Sequence, residues 1–284
     1  MRQVYITMIT GWMILCFCTV NGQKNDSLSY YASRINIDTS LELRMHYFQS
    51  MNRLFEEEIQ NNPVLNQDIP EIFTLYPSDS LFVLYSYRFR MHTGKHLYKA
   101  YIKNLETGSI LSWNQQGESH ILLSKTKNYG NKNWYGAIYY NLLEKKYKGE
   151  TLYFLFGYRD LDQTKNEKLI DVMRLLEDGR IELGFPVFEH PDLEEAKRYS
   201  FTYAQNASAK LNWDSSRKII LKDHLVPMSF DGVLQDVPDG SYEAFEWKKN
   251  KWNWIEKPYS HIYDEAPRPA PVKDNKNLFG VDEN

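Results

Sequence analysis

A stripe of apolar residues at helical spacing stands out between positions 39 and 62. Its members recur three, four and seven residues apart, as on one face of an α-helix. They are Leu41, Met45, Phe48, Phe55 and Ile59. Thr39 and Glu42 have the spacing of a capping box, which satisfies free amides at a helix start, and Pro63 follows where the stripe ends. We therefore predict one N-terminal amphipathic helix over residues 39–62.

From residue 72 to 257 the pattern changes to the alternation of two that is typical of strands. The predicted strands are residues 81–90, 96–102, 109–113, 134–143, 151–158, 169–176, 180–183, 199–203, 209–213, 218–222 and 242–247. Between several of them stand short turn sequences: Lys148-Gly149, Asp178-Gly179 and Lys249-Asn250. Residues 169–176 also fit a short helix, but the turn that follows at once favours a strand. The spacing predicts a β-rich domain over residues 72–257.

Short strands joined by tight turns indicate a mainly β, antiparallel domain. A sandwich, an open barrel and a propeller-like stack all fit this spacing. Strand groups recur roughly every 40 residues, as in a propeller, but no side-chain signature repeats with them. The three architectures therefore stay open.

The two ends of the chain have a different character. Residues 1–22 combine a basic start at Arg2, an uncharged apolar run and small residues before Gln23, which is typical of a secretory signal peptide. The run is shorter and more polar than the roughly 20 apolar residues of a membrane anchor. We expect export to the periplasm or the outside of the cell after cleavage, with no transmembrane span in the mature chain. Residues 23–38 read as a polar leader and 258–284 as a proline-rich polar tail.

The amino-acid composition limits which partners and which side-chain chemistry the mature chain can have. Without residues 1–22 the chain carries 33 basic and 37 acidic side chains, a net charge near −4 with the signs interspersed. This balance argues against nucleic acid as a partner, since such proteins present a basic face. The two cysteines, Cys16 and Cys18, lie within the predicted signal peptide. The mature chain should therefore have neither thiol chemistry nor disulfides. Aromatic residues are abundant, with 21 Tyr, 14 Phe and 7 Trp.

Several stretches from residue 134 onward have a familiar pattern. They are residues 134–140, 151–158, 168–172, 184–188, 222–227 and 238–245. On these stretches the chain resembles a group of uncharacterised exported proteins of Bacteroidota. The resemblance implies an exported β-rich architecture and a bacterial origin, and it implies no activity. The chain departs from the group at residues 158–162, where the group has more glycine and aspartate.

A spacing of oxygen ligands suggests a calcium loop at residues 160–171. Asp160 and Asp162 hold its first and third positions and Asp171 its twelfth. Lys165 stands where such a loop needs a glycine, and the following residues have a strand pattern. A solvated hairpin loop is favoured, with these three aspartates as candidate metal ligands and calcium as the candidate cofactor. No motif for another cofactor occurs in the sequence.

Asp223-His224 is the most suggestive pair for catalysis, because a carboxylate can orient an imidazole as a base. Adjacent residues of a strand point to opposite faces, so these two side chains can pair only if a bulge or a turn intervenes. A structural histidine is the favoured interpretation. Asp223 and His224 remain the candidate catalytic residues.

The resulting functional hypothesis is a binding or structural module of the cell envelope, with an unidentified envelope or extracellular partner and an aromatic contact surface. The alternative is an enzyme, a carboxylate-based hydrolase acting on a glycan. The two differ in what a structure should contain. An enzyme needs a pocket on which Asp, Glu or His converge, whereas a binding module needs an aromatic groove.

Overall fold

The computed structural model describes residues 26–65, 68–91, 95–116, 122–176, 179–230 and 232–259. Within these ranges the chain forms two helices, α1 (26–34) and α2 (Leu41–Asn61), followed by strands. The strands are β1 (Phe73–Leu75), β2 (Phe82–Arg90), β3 (His96–Asn104), β4 (Ile110–Asn114), β5 (Ile138–Tyr147), β6 (Glu150–Asp160), β7 (Lys165–Leu175), β8 (Ile181–Leu183), β9 (Phe188–His190), β10 (Leu193–Ala196), β11 (Arg198–Ala204), β12 (Leu211–Asp214), β13 (Ile219–Phe230), β14 (Val233–Lys248) and β15 (Lys251–Ile255). The predicted mainly β fold is confirmed.

The strands form three sheets. The first sheet has the order β1-β2-β3-β4, and the middle sheet has the order β11-β7-β6-β5 with β8 also paired to β7. The third sheet has the order β10-β9-β15-β14-β13-β12. Pairing is antiparallel except between β15 and β9. These sheets pack on one another, and the described strands form no closed barrel.

Three hydrophobic clusters hold the layers together. The two helices pack on the outer face of the first sheet, where Phe55 of α2 contacts Tyr85 and Tyr87 of β2 edge to face. The inner face of the first sheet packs on the middle sheet. The other face of the middle sheet packs on the third sheet, around Phe154 and Trp252. The order of layers is therefore helices, first sheet, middle sheet, third sheet.

This layering explains why burial does not alternate from residue to residue in β2 and β6. Each lies in a sheet with a packed layer on both faces, so consecutive residues of either parity are buried. In β6, Leu155 faces the first sheet and Phe154 faces the third. The high aromatic content serves mainly this core, in which Trp113, Trp134 and Trp252 are fully buried.

The N-terminal region differs from the prediction in two respects. The polar leader expected over residues 23–38 contains α1, whose Leu28 and Ala32 are buried beside α2, as is Ile35 just after it. A helix was missed here because three apolar residues among many polar ones make too short a stripe to recognise. The cap of α2 is Ser40, not Thr39: its hydroxyl accepts a hydrogen bond from the Leu43 amide at 3.3 Å.

The strands largely follow the prediction. Residues 169–176 belong to a strand, as the turn chemistry favoured. Lys148-Gly149 and Lys249-Asn250 have positive φ at both residues and form the expected two-residue hairpin turns. Four strands of five residues or fewer were not predicted: β1, β9, β10 and β15. β13 also continues past its predicted end at residue 222, and β14 begins before its predicted start at residue 242.

Three predicted segments lie wholly or largely outside the described residues. The signal peptide over residues 1–22 lies outside entirely, and only residues 258 and 259 of the predicted tail lie inside. The turn at Asp178-Gly179 is described at Gly179 alone. None of the helices in the described part of the chain is long and apolar enough to cross a membrane.

Candidate functional site

A cleft of about 470 Å³ opens beside β1, where the first and middle sheets meet. Its lining residues are Glu71, Phe73, Arg88, Ile138, Tyr140, Tyr158, Lys168 and Tyr203. We call it the tyrosine cleft. Strand register brings part of this wall together, since Ile138 of β5 pairs with Tyr158 of β6, which pairs with Lys168 of β7. Tyr140 lies at the irregularity in register between β5 and β6.

The hydroxyl groups of two tyrosines in the cleft are bonded to the protein. Tyr140 donates to the Leu211 carbonyl oxygen at 2.7 Å. Tyr158 donates to Asp160 Oδ1 at 2.6 Å. Such bonds hold the rings in place before any ligand arrives, which lowers the entropy cost of binding. Burial raises the pKa of the third tyrosine, Tyr203, to about 12, so its hydroxyl stays protonated at neutral pH.

Arg88 and Asp160 form an ion pair at the back of the cleft. The Arg88 guanidinium also lies over the Tyr158 ring, 5.3 Å from its centroid. Tyr98 donates a further hydrogen bond to Asp160 Oδ2 at 3.0 Å. Burial alone would raise the pKa of Asp160, but the charges of His96 and Arg88 and the tyrosine hydrogen bonds hold it below its usual value. Asp160 is therefore an ionised carboxylate whose hydrogen-bonding capacity is used within the protein.

Lys168 is the cation of the cleft that has no ion-pair partner among the described residues. Its ammonium lies over the Tyr140 ring, 5.1 Å from the centroid. Burial lowers the pKa of Lys168, and the charge of Asp223 opposes this in part. A half-buried ammonium without a carboxylate partner attracts an anionic group, because such a group replaces the water that the lysine has lost.

Glu71 contributes a carboxylate at the rim, from a residue with φ of 65°. Its Oε2 accepts a hydrogen bond from Asn36 Nδ2 at 2.7 Å. Asn36 also receives the Arg90 amide hydrogen on its Oδ1 at 2.9 Å. The link between α1 and α2 thereby sets the position of Glu71 against β2.

The three aspartates of the predicted calcium loop do not converge. Asp160 ends β6 and bonds to Arg88 and two tyrosines, as described above. Asp162 lies in the β6–β7 turn, where Oδ1 accepts the amide hydrogens of Thr164 at 2.7 Å and Lys165 at 2.9 Å. Asp171 is fully buried in β7 and pairs with Arg198. No group of three or more His, Cys, Asp or Glu side chains in the described ranges is arranged to hold a metal ion.

Asp223 and His224 are adjacent but bond to different partners. Asp223 Oδ2 accepts the Lys210 amide hydrogen at 2.7 Å. The β13–β14 register shifts immediately after Asp223, and His224 Nδ1 lies 2.9 Å from Asp239 Oδ2. His224 Nε2 lies 3.9 Å from Glu243 Oε1. The register is irregular at this point, yet the two side chains do not pair with each other, because the imidazole lies beside Asp239 of the neighbouring strand.

The lining of the tyrosine cleft could not be assembled from the sequence. Tyr140 and Tyr158 fall within predicted strands, yet they look like the other aromatic residues of those strands. Glu71 and Arg88 come from a different sheet region, and only the stacking of sheets brings them near Lys168. The one feature of the sequence that could have pointed to the cleft is Lys168, a charged residue among the buried residues of β7.

Comparisons with known proteins find no matching family model, no matching curated protein and no matching solved structure.

Proposed function

We propose that this protein is an exported saccharide-binding module of the cell envelope, whose tyrosine cleft holds a sugar that carries a carboxylate. The signal-peptide pattern of residues 1–22 supports export. The observation that carries the ligand assignment is a preformed aromatic cleft whose ammonium group has no ion-pair partner in the part of the chain that the structure describes.

The walls of the cleft suit a saccharide. A sugar ring has flat faces of C–H groups and edges of hydroxyl groups, so it needs aromatic surface together with polar side chains. Tyr140 and Tyr158 supply rings held by their own hydroxyl bonds. Glu71 at the rim supplies an acceptor for sugar hydroxyls. A volume of about 470 Å³ lies in the range of small-ligand sites.

The charges of the cleft favour an acidic sugar. Arg88 is neutralised by Asp160, so it contributes a planar surface over Tyr158 more than a net charge. Lys168 is not neutralised in this way, since Asp223 acts on it from beyond ion-pair distance. A carboxylate on the ligand completes this pair. A charge-assisted hydrogen bond of this kind contributes about 1.5–3 kcal/mol.

The same geometry supports binding over glycan hydrolysis. A glycosidase of the usual kind needs two carboxyl groups on either side of the bond that it cleaves. Of the described residues lining the cleft, Glu71 is the one carboxylate. Asp160 lies behind Arg88 and is bonded to it and to tyrosine hydroxyls.

Isothermal titration calorimetry with uronic-acid oligosaccharides and their neutral counterparts tests this proposal. We expect the acidic ligands to bind more tightly, and Lys168→Met to weaken that binding at least about tenfold. Lys146→Met is the matched control, because Lys146 is exposed on β5 and bonds to Thr151 at 2.7 Å outside the cleft. Equal affinity for acidic and neutral ligands, or equal effects of the two substitutions, would contradict the proposal.

A further inference from the structure

Glu71 has a strained backbone at the rim of the tyrosine cleft. Its φ of 65° lies in the left-handed region, which favours glycine and costs free energy for a residue with a Cβ. Strained residues of this kind persist where the surrounding structure determines their conformation, and they concentrate at ligand sites. The Glu71 side chain is exposed and lines the cleft. Because a glycine would be unstrained here, the glutamate points to a role for its carboxylate.

The backbone around Glu71 is anchored on both sides. Ile69 and Ile72 are buried in the cluster between the helices and the first sheet. The Ile72 amide donates to the Ile69 carbonyl oxygen at 3.2 Å, which closes the turn that contains Glu71. Phe73 begins β1 and is paired with Ser86 of β2. These anchors set the position from which the Glu71 side chain extends.

The Glu71 side chain is held by Asn36, whose amide takes the place of a strand partner on β2. Asn36 Oδ1 accepts the Arg90 amide hydrogen at 2.9 Å, and Asn36 Nδ2 donates to the Arg88 carbonyl oxygen at 3.3 Å. The described pairing of β1 with β2 ends at Ser86, so Asn36 continues the edge beyond it. Because Oδ1 faces a donor, Nδ2 is the atom that faces Glu71. It donates to Glu71 Oε2 at 2.7 Å, which fixes the carboxylate through one of its two oxygens.

We propose that Glu71, positioned by Asn36, makes the tyrosine cleft select between epimers of an acidic sugar. The inference rests on the proposed function of this cleft and adds the basis of its specificity. Glu71 Oε1 accepts a hydrogen bond from one hydroxyl of the ligand. The epimer directs that hydroxyl elsewhere and leaves the carboxylate without the bond, so it binds more weakly. Asn36 does not line the cleft, and it acts as a positioning residue through Glu71.

The ammonium of the cleft does not supply this selectivity. Lys168 attracts the carboxylate of a uronic acid whichever way the hydroxyl groups of the sugar point. A hydrogen bond to Glu71, by contrast, requires a donor–acceptor distance of about 2.5–3.0 Å and a nearly straight angle. Lys168 therefore recognises the carboxylate of the ligand, and Glu71 recognises the configuration of one hydroxyl.

Calorimetry with methyl β-glucuronide and its epimers at C2, C3 and C4 tests the proposal. We expect the best and the worst of these ligands to differ at least about tenfold in affinity for the unaltered protein. Asn36→Ala and Glu71→Gly should each reduce this ratio to about twofold or less. Asn52→Ala is the matched control, because Asn52 accepts the Tyr87 hydroxyl at 2.6 Å on the helical side of the first sheet. It should leave the ratio unchanged.

Urea denaturation separates this role from a structural one. Glu71→Gly removes the left-handed strain, so the variant should be at least as stable as the unaltered protein although it has lost the selectivity. A lower stability of Glu71→Gly with an unchanged ratio would make Glu71 structural and overturn the proposal. Asn36→Ala that weakens all the epimers by the same factor would overturn it as well.

The proposed function and this inference fail in different ways. Lys168→Met should weaken all the epimers by a similar factor and leave their ratio unchanged. Binding of all the epimers with equal affinity overturns the inference alone, since the preference for acidic over neutral ligands is measured separately. If none of the epimers binds, the proposed function fails and the inference falls with it.

Discussion

Arg198 and Asp171 form an ion pair in which neither side chain is exposed to solvent, with Arg198 Nε 3.2 Å from Asp171 Oδ1. The guanidinium also donates through Nη1 to the carbonyl oxygens of Ser124 at 2.5 Å and Lys127 at 2.7 Å. Asp171 accepts a hydrogen bond from the Tyr135 hydroxyl through its other oxygen. One buried arginine thereby ties β7 and β11 to the segment that contains Ser124 and Lys127.

Replacing this arginine should destabilise the whole molecule. Arg198→Met leaves the Asp171 charge buried without its partner and frees the segment around Ser124, so we expect unfolding to require about 3–5 kcal/mol less free energy. Urea denaturation measures the difference. Arg217→Met is the control, because Arg217 pairs with Asp214 at the surface and its loss should cost less than about 1 kcal/mol. Similar stabilities for the two variants would contradict this role for Arg198.

The binding of an acidic sugar in the tyrosine cleft should weaken at high pH. Burial lowers the pKa of Lys168 below its ordinary 10.5, so the ammonium loses its proton earlier than an exposed lysine does. Affinity is therefore complete below the lowered pKa and lost as the pH rises through it. The other titratable groups around Lys168 are Glu71, Arg88, Tyr140, Tyr158, Tyr203 and Asp223.

Calorimetric titrations at a series of alkaline pH values test this expectation. Lys168→Arg provides the control, since a guanidinium stays protonated throughout that range. Its affinity should not fall where that of the unaltered protein does. Parallel curves for the two proteins would show that another group governs the effect.

Asp160 should make the fold sensitive to acid. Its pKa in the folded protein lies below the ordinary value of 3.8, so the carboxylate stabilises the fold fully above that value. This contribution is lost as the pH falls through the folded pKa. Asp160→Asn removes the charge that faces Arg88 and should lower stability by about 2–3 kcal/mol at neutral pH.

Urea denaturation between neutral and strongly acidic pH gives the comparison. The stability difference between the unaltered protein and Asp160→Asn should shrink as the pH falls through the folded pKa. A difference that stays constant over the whole series would rule out ionisation of Asp160 as its origin.

Two glycines with positive φ should respond differently to alanine. Gly149 has φ of 96° in an open hairpin turn, where an added Cβ would meet nothing within 4 Å. Gly149→Ala therefore costs only the backbone strain, about 1–2 kcal/mol. Gly136 has φ of 84°, and its added Cβ would lie 2.9 Å from Tyr98 Cβ. Gly136→Ala should cost at least about 1 kcal/mol more, because Tyr98 is buried and cannot move aside. Thermal unfolding of the two variants measures the difference, and equal losses would contradict the close approach to Tyr98.

Local patterns were sufficient for α2 and for most strands. The apolar stripe that includes Phe48 and Phe55 is visible in the sequence because helix periodicity is a property of neighbouring residues. The hairpin turn at Lys148-Gly149 is visible for the same reason. The short strands β9 and β15 were not predicted, because they pair with each other in parallel across more than sixty residues of sequence.

The partners of the candidate site residues come from distant segments of the chain, so no local sequence pattern could predict them. Asp160 and Asp171 have the spacing of metal ligands, but the structure gives each a different cation, Arg88 and Arg198. His224 stands next to Asp223 in the chain and bonds to Asp239. Neighbours in sequence diverge because successive side chains of a strand point to opposite faces.

The sequence by itself thus determined the mainly β class, the amphipathic helix α2 and the hairpin turns, all of which arise from interactions between residues close in the chain. Only the tertiary structure decided that three sheets stack in layers and that the tyrosine cleft forms beside β1, an edge strand of the first sheet. It also decided that Lys168 lies in that cleft over the Tyr140 ring, without an ion-pair partner among the described residues. The physical reason is that burial and hydrogen-bond satisfaction depend on which distant segments pack together.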